Sequence, residues 1–359
     1  MRGAVLRESP GWLEIANLQV ADPMPHEVLV RTAAAGLCHS DLHFMEGKYP
    51  SVPPLCMGHE SAGVVEAVGR EVTYVQPGDH VITCLSVFCG ECPYCLTGRP
   101  YLCDSKATSR AENQPPRLSE AGVPVAQFAR LASFAEQMLV HEHAIVKIAP
   151  ELPLDRAALI GCGVITGIGA VFNTARVPPG ATVAVIGCGG IGLNCIQGAR
   201  LAGASRIFAI DRLDTKLELA TEFGATDAVN ASQVDPVARV IELAGGGVDY
   251  AFEAVGLAAT AQQAWSMLRR GGTATVIGMI PVGEVVHLPG PDFLAERRIQ
   301  GSVMGSNRFR VDMPRIIELY QQGRVKLDEL VSARITLDEI NDGFRRMQGG
   351  EVARSVVVF

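Results

Sequence analysis

The chain has 359 residues, 48% hydrophobic and 19% charged, with a formal net charge of −7. That length supports two or three domains and a large buried core. The acidic balance excludes nucleic-acid and anionic-membrane partners, both of which call for a basic face.

Residues 1–6 break at once into Arg7, Glu8 and Pro10, with no apolar run of signal-peptide length. Ten cysteines without such a signal point to a reducing compartment, where clustered thiols serve as metal ligands rather than disulfides. A cytoplasmic location is expected. Residues 1–90 read as a β-rich, barrel-like domain, with β-branched runs at 27–31, 63–68 and 79–83 bounded by Gly, Pro and Asp. Pro77 followed by Gly78 and Asp79 marks a turn, because proline presets its φ and glycine tolerates a positive one.

Residues 36–43 gather a thiol (Cys38), two imidazoles (His39, His43), a hydroxyl (Ser40) and a carboxylate (Asp41). A lone Cys-x4-His pair is more often unliganded than not, so the remaining ligands must come from elsewhere. Candidates are His59 with Glu60, and Cys162 between two glycines.

Cys89, Cys92, Cys95 and Cys103 follow at C-x2-C-x2-C-x7-C, four thiols able to close a tetrahedral zinc site. A redox pair would leave two of them unexplained; an iron–sulfur cluster also uses four thiolates and stays open. With all four positions filled by protein, such a metal staples a loop. Residues 104–135 are polar and loop-like, with regular structure expected to resume near Phe134.

From residue 177 strands and helices alternate. A strand at 182–187 leads into Gly187-Cys-Gly189-Gly190-Ile191-Gly192 and a helix, and the next strand ends in Asp211, 19 residues after Gly192. A lone G-x-G-x-x-G is weak, but placed between strand and helix with that acid it is a dinucleotide loop. The helix N-terminus offers free amides to a pyrophosphate. Asp211 would take the adenosine ribose hydroxyls and repel a 2′-phosphate, favouring NAD over NADP, with Arg212 as the one contrary charge. Strands near 228–230, 250–255, 273–278 and 299–303 complete a doubly wound six-stranded sheet. The run 181–199 holds five glycines and is read as strand, loop and buried helix, not a membrane span. Helical stretches at 313–322 and 337–347 and a last strand at 355–359 form a tail expected to return to the first domain.

Over nearly its whole length the chain resembles the zinc-dependent medium-chain alcohol dehydrogenases of the liver-type branch. The residues that carry the likeness are Gly58-His-Glu60 with Gly63, Gly69 and 77–79, the four-cysteine lobe, Gly161-Cys-Gly163, the nucleotide loop and Asp211. The resemblance implies an α/β protein. A GroES-like catalytic domain would take 1–163 and 304–359, and a Rossmann NAD domain 164–303. It implies a catalytic zinc on Cys38, His59 and Cys162 with a fourth position for water or substrate, and a second, structural zinc in the lobe. Asp41 would orient the histidine ligand, and Glu60 would lie near the metal. Ser40 and His43 match the proton relay. His39 and Arg354 match pyrophosphate contacts, Lys216 a ribose contact and Thr166 a nicotinamide contact.

By the same resemblance Tyr49, Leu85, Phe134 and Val164 line the substrate pocket. Leu85, where narrower sites have an aromatic, and Ser40 in place of threonine point to a bulky or aromatic primary alcohol, interconverted with its aldehyde by hydride transfer. Closure of the two domains would exclude water, and a homodimer through the last sheet strands is implied. Oxidation of a thiol–formaldehyde adduct is the alternative; the arginine expected shortly after the fourth lobe cysteine is displaced to Arg110. A non-catalytic NAD-binding protein on the same fold is a remote third, since it would lack the ligands present here.

Overall fold

The computed structural model describes residues 1–350 and 353–359. It divides into two compact units, Met1–Gly163 with Arg308–Gln321 and Leu327–Phe359, and Val164–Asn307 with Gln322–Lys326.

The first unit is built on β-structure. A seven-stranded sheet is centred on the ten-residue strand Glu27–Gly36, which pairs antiparallel with Ser61–Val68, Gln137–His141 and Arg354–Val358. A second sheet of four strands joins Arg2–Leu6 to Leu13–Asn17 and Leu55–Cys56. Alternation of Val, Ala and polar residues along Glu27–Gly36 turns Val28, Val30 and Ala34 into the core and Arg31 to solvent. Between the sheets lie Leu6, Leu37, Met57, Phe134 and Phe344, all fully buried. The polar stretch 104–135, expected as loop, is only partly so. Leu118–Glu120 and Val123–Pro124 pair as a hairpin that adds Gln19–Val20, and Ala126–Gln127 pairs with Leu55–Cys56. Strands of two or three residues are too short for a period-2 pattern to show in sequence.

The second unit carries a six-stranded, wholly parallel sheet. Its spatial order is Asp227–Asn230, Arg206–Asp211, Thr182–Ile186, Val248–Glu253, Leu268–Val276, Arg298–Gly301. In chain order this is 3-2-1-4-5-6, the doubly wound arrangement, whose ligand crevice opens where the order reverses. The reversal falls between Thr182–Ile186 and Val248–Glu253. Both faces are covered, so the strands read as apolar runs. Burying a side chain such as Phe208 or Phe252 completely contributes about 1.5–3 kcal/mol.

The helical run Leu154–Ala175 is long and apolar enough to cross a membrane, but 83% of its most apolar window is buried inside the protein. It is a core helix, with π-helical turns at Ile160–Val164 and Ala170–Ala175.

Candidate active site

Strand Glu27–Gly36 ends at Leu37, and Cys38 caps the short helix His39–Met45. The first turn of that helix sends Asp41 inward, fully buried, while His39 is exposed and Ser40 partly so. Cys56, Met57 and Gly58 then bring in His59 and Glu60 at the head of strand Ser61–Val68. Cys162 arrives on the π-helical turn Ile160–Val164, a helical variant frequent at functional sites.

The ligand atoms of Cys38, His59 and Cys162 lie within 4.8 Å of one another, all buried. Cys162 Sγ is 3.3 Å from His59 Nε2. On the far side of the ring, His59 Nδ1 donates to Asp41 Oδ1 at 3.1 Å, and the same oxygen accepts from Gly58 N at 3.2 Å. The carboxylate therefore fixes the tautomer and aims Nε2 at the two sulfurs, as metal-binding histidines require. Two thiols and one imidazole converging with no fourth protein ligand among the described residues fit a catalytic zinc.

The electrostatics follow from burial. A hydrogen bond from Cys162 brings the Cys38 thiol well below its ordinary range, against the cost of burial, with Arg354 and His59 assisting. Cys162 is raised in turn as the thiol that keeps the shared proton. Burial disfavours charge on His59, yet Asp41 and Cys38 outweigh it and lift the imidazole. Glu60 is pushed up to about 7, by burial first, with the neighbouring Arg354 opposing. Its Oε2 accepts from Gly163 N at 3.2 Å, and its Oε1 has no partner among the described residues. Gly36 is required here: a Cβ would come within 2.3 Å of Glu60 Oε1.

Arg354, matched in sequence to a pyrophosphate contact, is only 5% exposed. Its Nη1 donates to the Leu37 carbonyl at 2.9 Å and lies 3.8 Å from Glu60 Oε2. The guanidinium thus stands behind the sulfur pair as a buried counter-charge. Ser40 Oγ is 3.6 Å from Cys38 Sγ. His43 has its pKa lowered, by burial and then by Lys48, and its ring stacks on Tyr49 at 6.2 Å.

The pocket residues separate. Phe134, expected to face substrate, is fully buried in the core with its ring edge-on to Phe344 at 6.0 Å. Phe128 stands beside the ligands instead, its ring 5.6 Å from that of His59. Phe44 packs against Phe128 at 4.8 Å and against Tyr49 at 5.6 Å. An aromatic chain therefore runs from His59 through Phe128, Phe44 and Tyr49 to His43. Sequence reasoning missed Phe128 and Phe44. Phe128 sits in an irregular segment with left-handed residues and no periodicity, while Phe44 directly follows His43 and could have been noticed. Leu85 is partly buried against the core, and Val164 is buried.

In the lobe, Cys92 Sγ lies 3.5 Å from Cys95 Sγ and 3.8 Å from Cys103 Sγ, and Cys89 Sγ lies 3.9 Å from Cys95 Sγ. Four sulfurs at ~2.3 Å from one zinc would stand roughly 3.8 Å apart, so the lobe fits that ion. Backbone amides, that of Glu91 foremost, bring the Cys89 thiol down to about 6.

In the second unit Gly187 has φ 92° and donates to the Ile210 carbonyl. A Cβ on Gly192 would come 1.7 Å from the Gly187 carbonyl, whereas one on Gly189 would meet nothing within 4 Å. The loop is thus closed behind and open in front, over the N-terminus of helix Gly190–Leu201, which is the form of a phosphate cradle. Asp211 is held by three backbone amides, those of Cys188, Arg212 and Leu213. Lys216 follows in helix Asp214–Phe223. Thr166 is buried with Oγ1 3.5 Å from Met304 Sδ.

Residues 24–150 match the family model for the alcohol dehydrogenase GroES-like domain, and residues 190–322 that for the zinc-binding dehydrogenase domain. The chain is 39% identical to the class-3 alcohol dehydrogenase of Cereibacter sphaeroides, over 100% of this chain and 99% of the relative. It is 40% identical to the NDMA-dependent alcohol dehydrogenase of Amycolatopsis methanolica, over 99% and 98%. The crystal structure of benzyl alcohol dehydrogenase from Acinetobacter calcoaceticus superposes with a TM-score of 0.94 at 33% identity, covering 100% of this chain and 99% of that one.

Proposed function

Because the chain belongs to the zinc-dependent medium-chain alcohol dehydrogenases, NAD-linked enzymes acting on small alcohols and aldehydes, we propose that its substrate is a primary alcohol bearing an aromatic or similarly bulky group. The observation that carries this is the aromatic chain His59–Phe128–Phe44–Tyr49–His43. Rings so placed favour a second ring by ~0.5–1.5 kcal/mol beyond burial alone.

Cys38, His59 and Cys162 would hold the catalytic zinc, with Asp41 fixing the histidine. The metal supplies a Lewis acid that lowers the pKa of the alcohol, and NAD supplies the hydride acceptor. The chain's own groups do the rest. Ser40 takes the hydroxyl proton, and His43, kept neutral by burial, receives it on the way to solvent. Glu60 and Arg354 adjust the charge behind the sulfurs. The loop 187–192 would take the pyrophosphate, Asp211 and Lys216 the adenosine ribose, and Thr166 the nicotinamide. We place the enzyme in the cytoplasm on its ten free thiols, and as a homodimer through the sheet edge Arg298–Gly301.

The thiol–formaldehyde alternative finds less support. Arg110, the guanidinium in question, is tied to Glu27 and to the Asp22 carbonyl. NADH production from aliphatic, allylic and benzylic alcohols, and from formaldehyde with and without added thiols, tests the reading. Benzylic alcohols should exceed ethanol in kcat/KM by about tenfold or more, and Phe128→Ala should remove most of that margin. Equal rates across the panel, or activity confined to the formaldehyde–thiol arm, would refute it.

A further inference from the structure

The segment that presents Phe128 to His59 has a second side. Three of its residues carry a Cβ yet hold left-handed φ angles, Ala129 at 52°, Arg130 at 64° and Ala132 at 61°. Such conformations are disfavoured and persist where the surroundings impose them, often at sites of function. Here they turn Phe128 to the ligand histidine and Arg130 to a solvent-open cavity of about 420 Å³.

That cavity is lined by Arg110, Arg117, Arg130, Gln127 and Ser109 over an apolar floor of prolines and Val125, and no Asp or Glu is among its lining residues. Behind the wall lies one carboxylate, Glu27, 3% exposed. It accepts from Arg110 Nη2 at 2.5 Å and Arg117 Nε at 2.7 Å. Arg130 donates through Nη1 to Thr108 Oγ1 at 3.1 Å and, at 3.4 Å, through Nη2 to the Val87 carbonyl; no carboxylate pairs with it among the described residues. Three guanidinia stand against the Glu27 carboxylate and, beside Arg130, the Cys103 sulfur, which leaves a net positive charge at the wall of a concave, partly desolvated space. In such a space the field of fixed charges is focused rather than screened.

We propose that this cavity is an oxyanion-binding site, taking a small molecule through its carboxylate or phosphate group, with Arg130 as the residue that grips it. A guanidinium fork matches both groups in two-pronged geometry. Arg110 and Arg117, locked by Glu27, add field without moving, and the proline floor holds the cavity open at no cost in backbone freedom. None of these residues belongs to the nucleotide loop, so the site is additional to the one that takes the cofactor's phosphates.

The test is calorimetric titration of the NAD-saturated protein, so that the dinucleotide site is filled, with inorganic phosphate and separately with succinate. At least one should bind saturably at one per chain; which one responds assigns the phosphate or the carboxylate. Ser109→Glu and Ser109→Lys change the charge of an exposed lining residue without touching a buried pair. They should weaken and strengthen binding several-fold respectively. Arg130→Asn, which keeps a residue tolerant of left-handed φ, should weaken it at least tenfold with the thermal melt unchanged within a few degrees. Absence of saturable binding by either anion overturns the proposal. So does an affinity indifferent to both Ser109 variants.

Discussion

Glu27 receives two guanidinia, and its charge is what holds them. Burial alone would raise its carboxyl, but Arg110, the Met24 amide and Arg117 outweigh burial and bring it from 4.5 to about 2. A carboxylate with a depressed folded pKa contributes stability above its unfolded pKa and loses it as pH falls through the folded one. The window here runs from about pH 4.5 down to 2, and the shift corresponds to roughly 3 kcal/mol. Glu27→Gln, which also leaves two buried arginines short of an anion, should destabilise by that order at pH 7. The gap to wild type should narrow as the pH of denaturant titrations drops from 5 to 3; a gap independent of pH contradicts this account. His43 acts on rate instead. Removing a proton acceptor typically costs ~10²–10⁴-fold, so His43→Ala should slow turnover by about 10² while zinc content stays at the wild-type value. Loss of zinc in that variant would mean that His43 serves the metal.

Arg298–Gly301 is the edge strand of the six-stranded sheet, paired on one side only among the described residues. Its neighbour, the 3-10 turn Gly290–Ala295, shows Phe293 at 50% and Leu294 at 91% exposure. Proteins cover or charge an open edge flanked by apolar side chains. The proposed dimer through this edge predicts that Leu294→Asp sediments as a monomer where the wild type sediments as a dimer; a monomeric wild type, or a variant that stays dimeric, refutes that interface. The same strand illustrates what could be read without coordinates. The inner strands Thr182–Ile186 and Arg206–Asp211 are legible as apolar runs, whereas Arg298–Gly301 carries one apolar side chain and is legible only from its place in the alternation of strands and helices; the phosphate loop is legible because Gly187 and Gly192 have no substitutes. Cys38, His59 and Cys162 are legible as a set only through the resemblance to the family, since each alone reads as an ordinary buried cysteine or histidine. Phe128 was not visible. Its placement depends on left-handed residues at 129, 130 and 132, which alanine and arginine do not advertise. Arg354 was noticed, but the buried partners that hold it in place, Glu60 and the Leu37 carbonyl, lie about three hundred residues away.

Two ligand sets of different character imply two zinc ions per chain. The lobe takes all four ligands from 15 consecutive residues, and the other set draws three from positions spread between 38 and 162. Metal analysis should find about two zinc per chain in the wild type and about one in Cys38→Ala, retained in the lobe. Two zinc ions remaining in that variant would show that the trio is not a metal site.

The separation of Leu37 from Arg354, 317 residues, also sets an order of events during synthesis. At about 5–20 residues per second, the strand that carries Arg354 is made some ~15–60 s after the first catalytic ligand. Cys89 to Cys103 emerge together and can capture an ion early. The sulfurs of Cys38 and Cys162 must wait for their buried counter-charge until the last strand slots against Glu27–Gly36. The stapling ion should accordingly load first, and a ribosome-bound chain stalled before residue 354 should carry zinc in its lobe and lack the finished reaction centre.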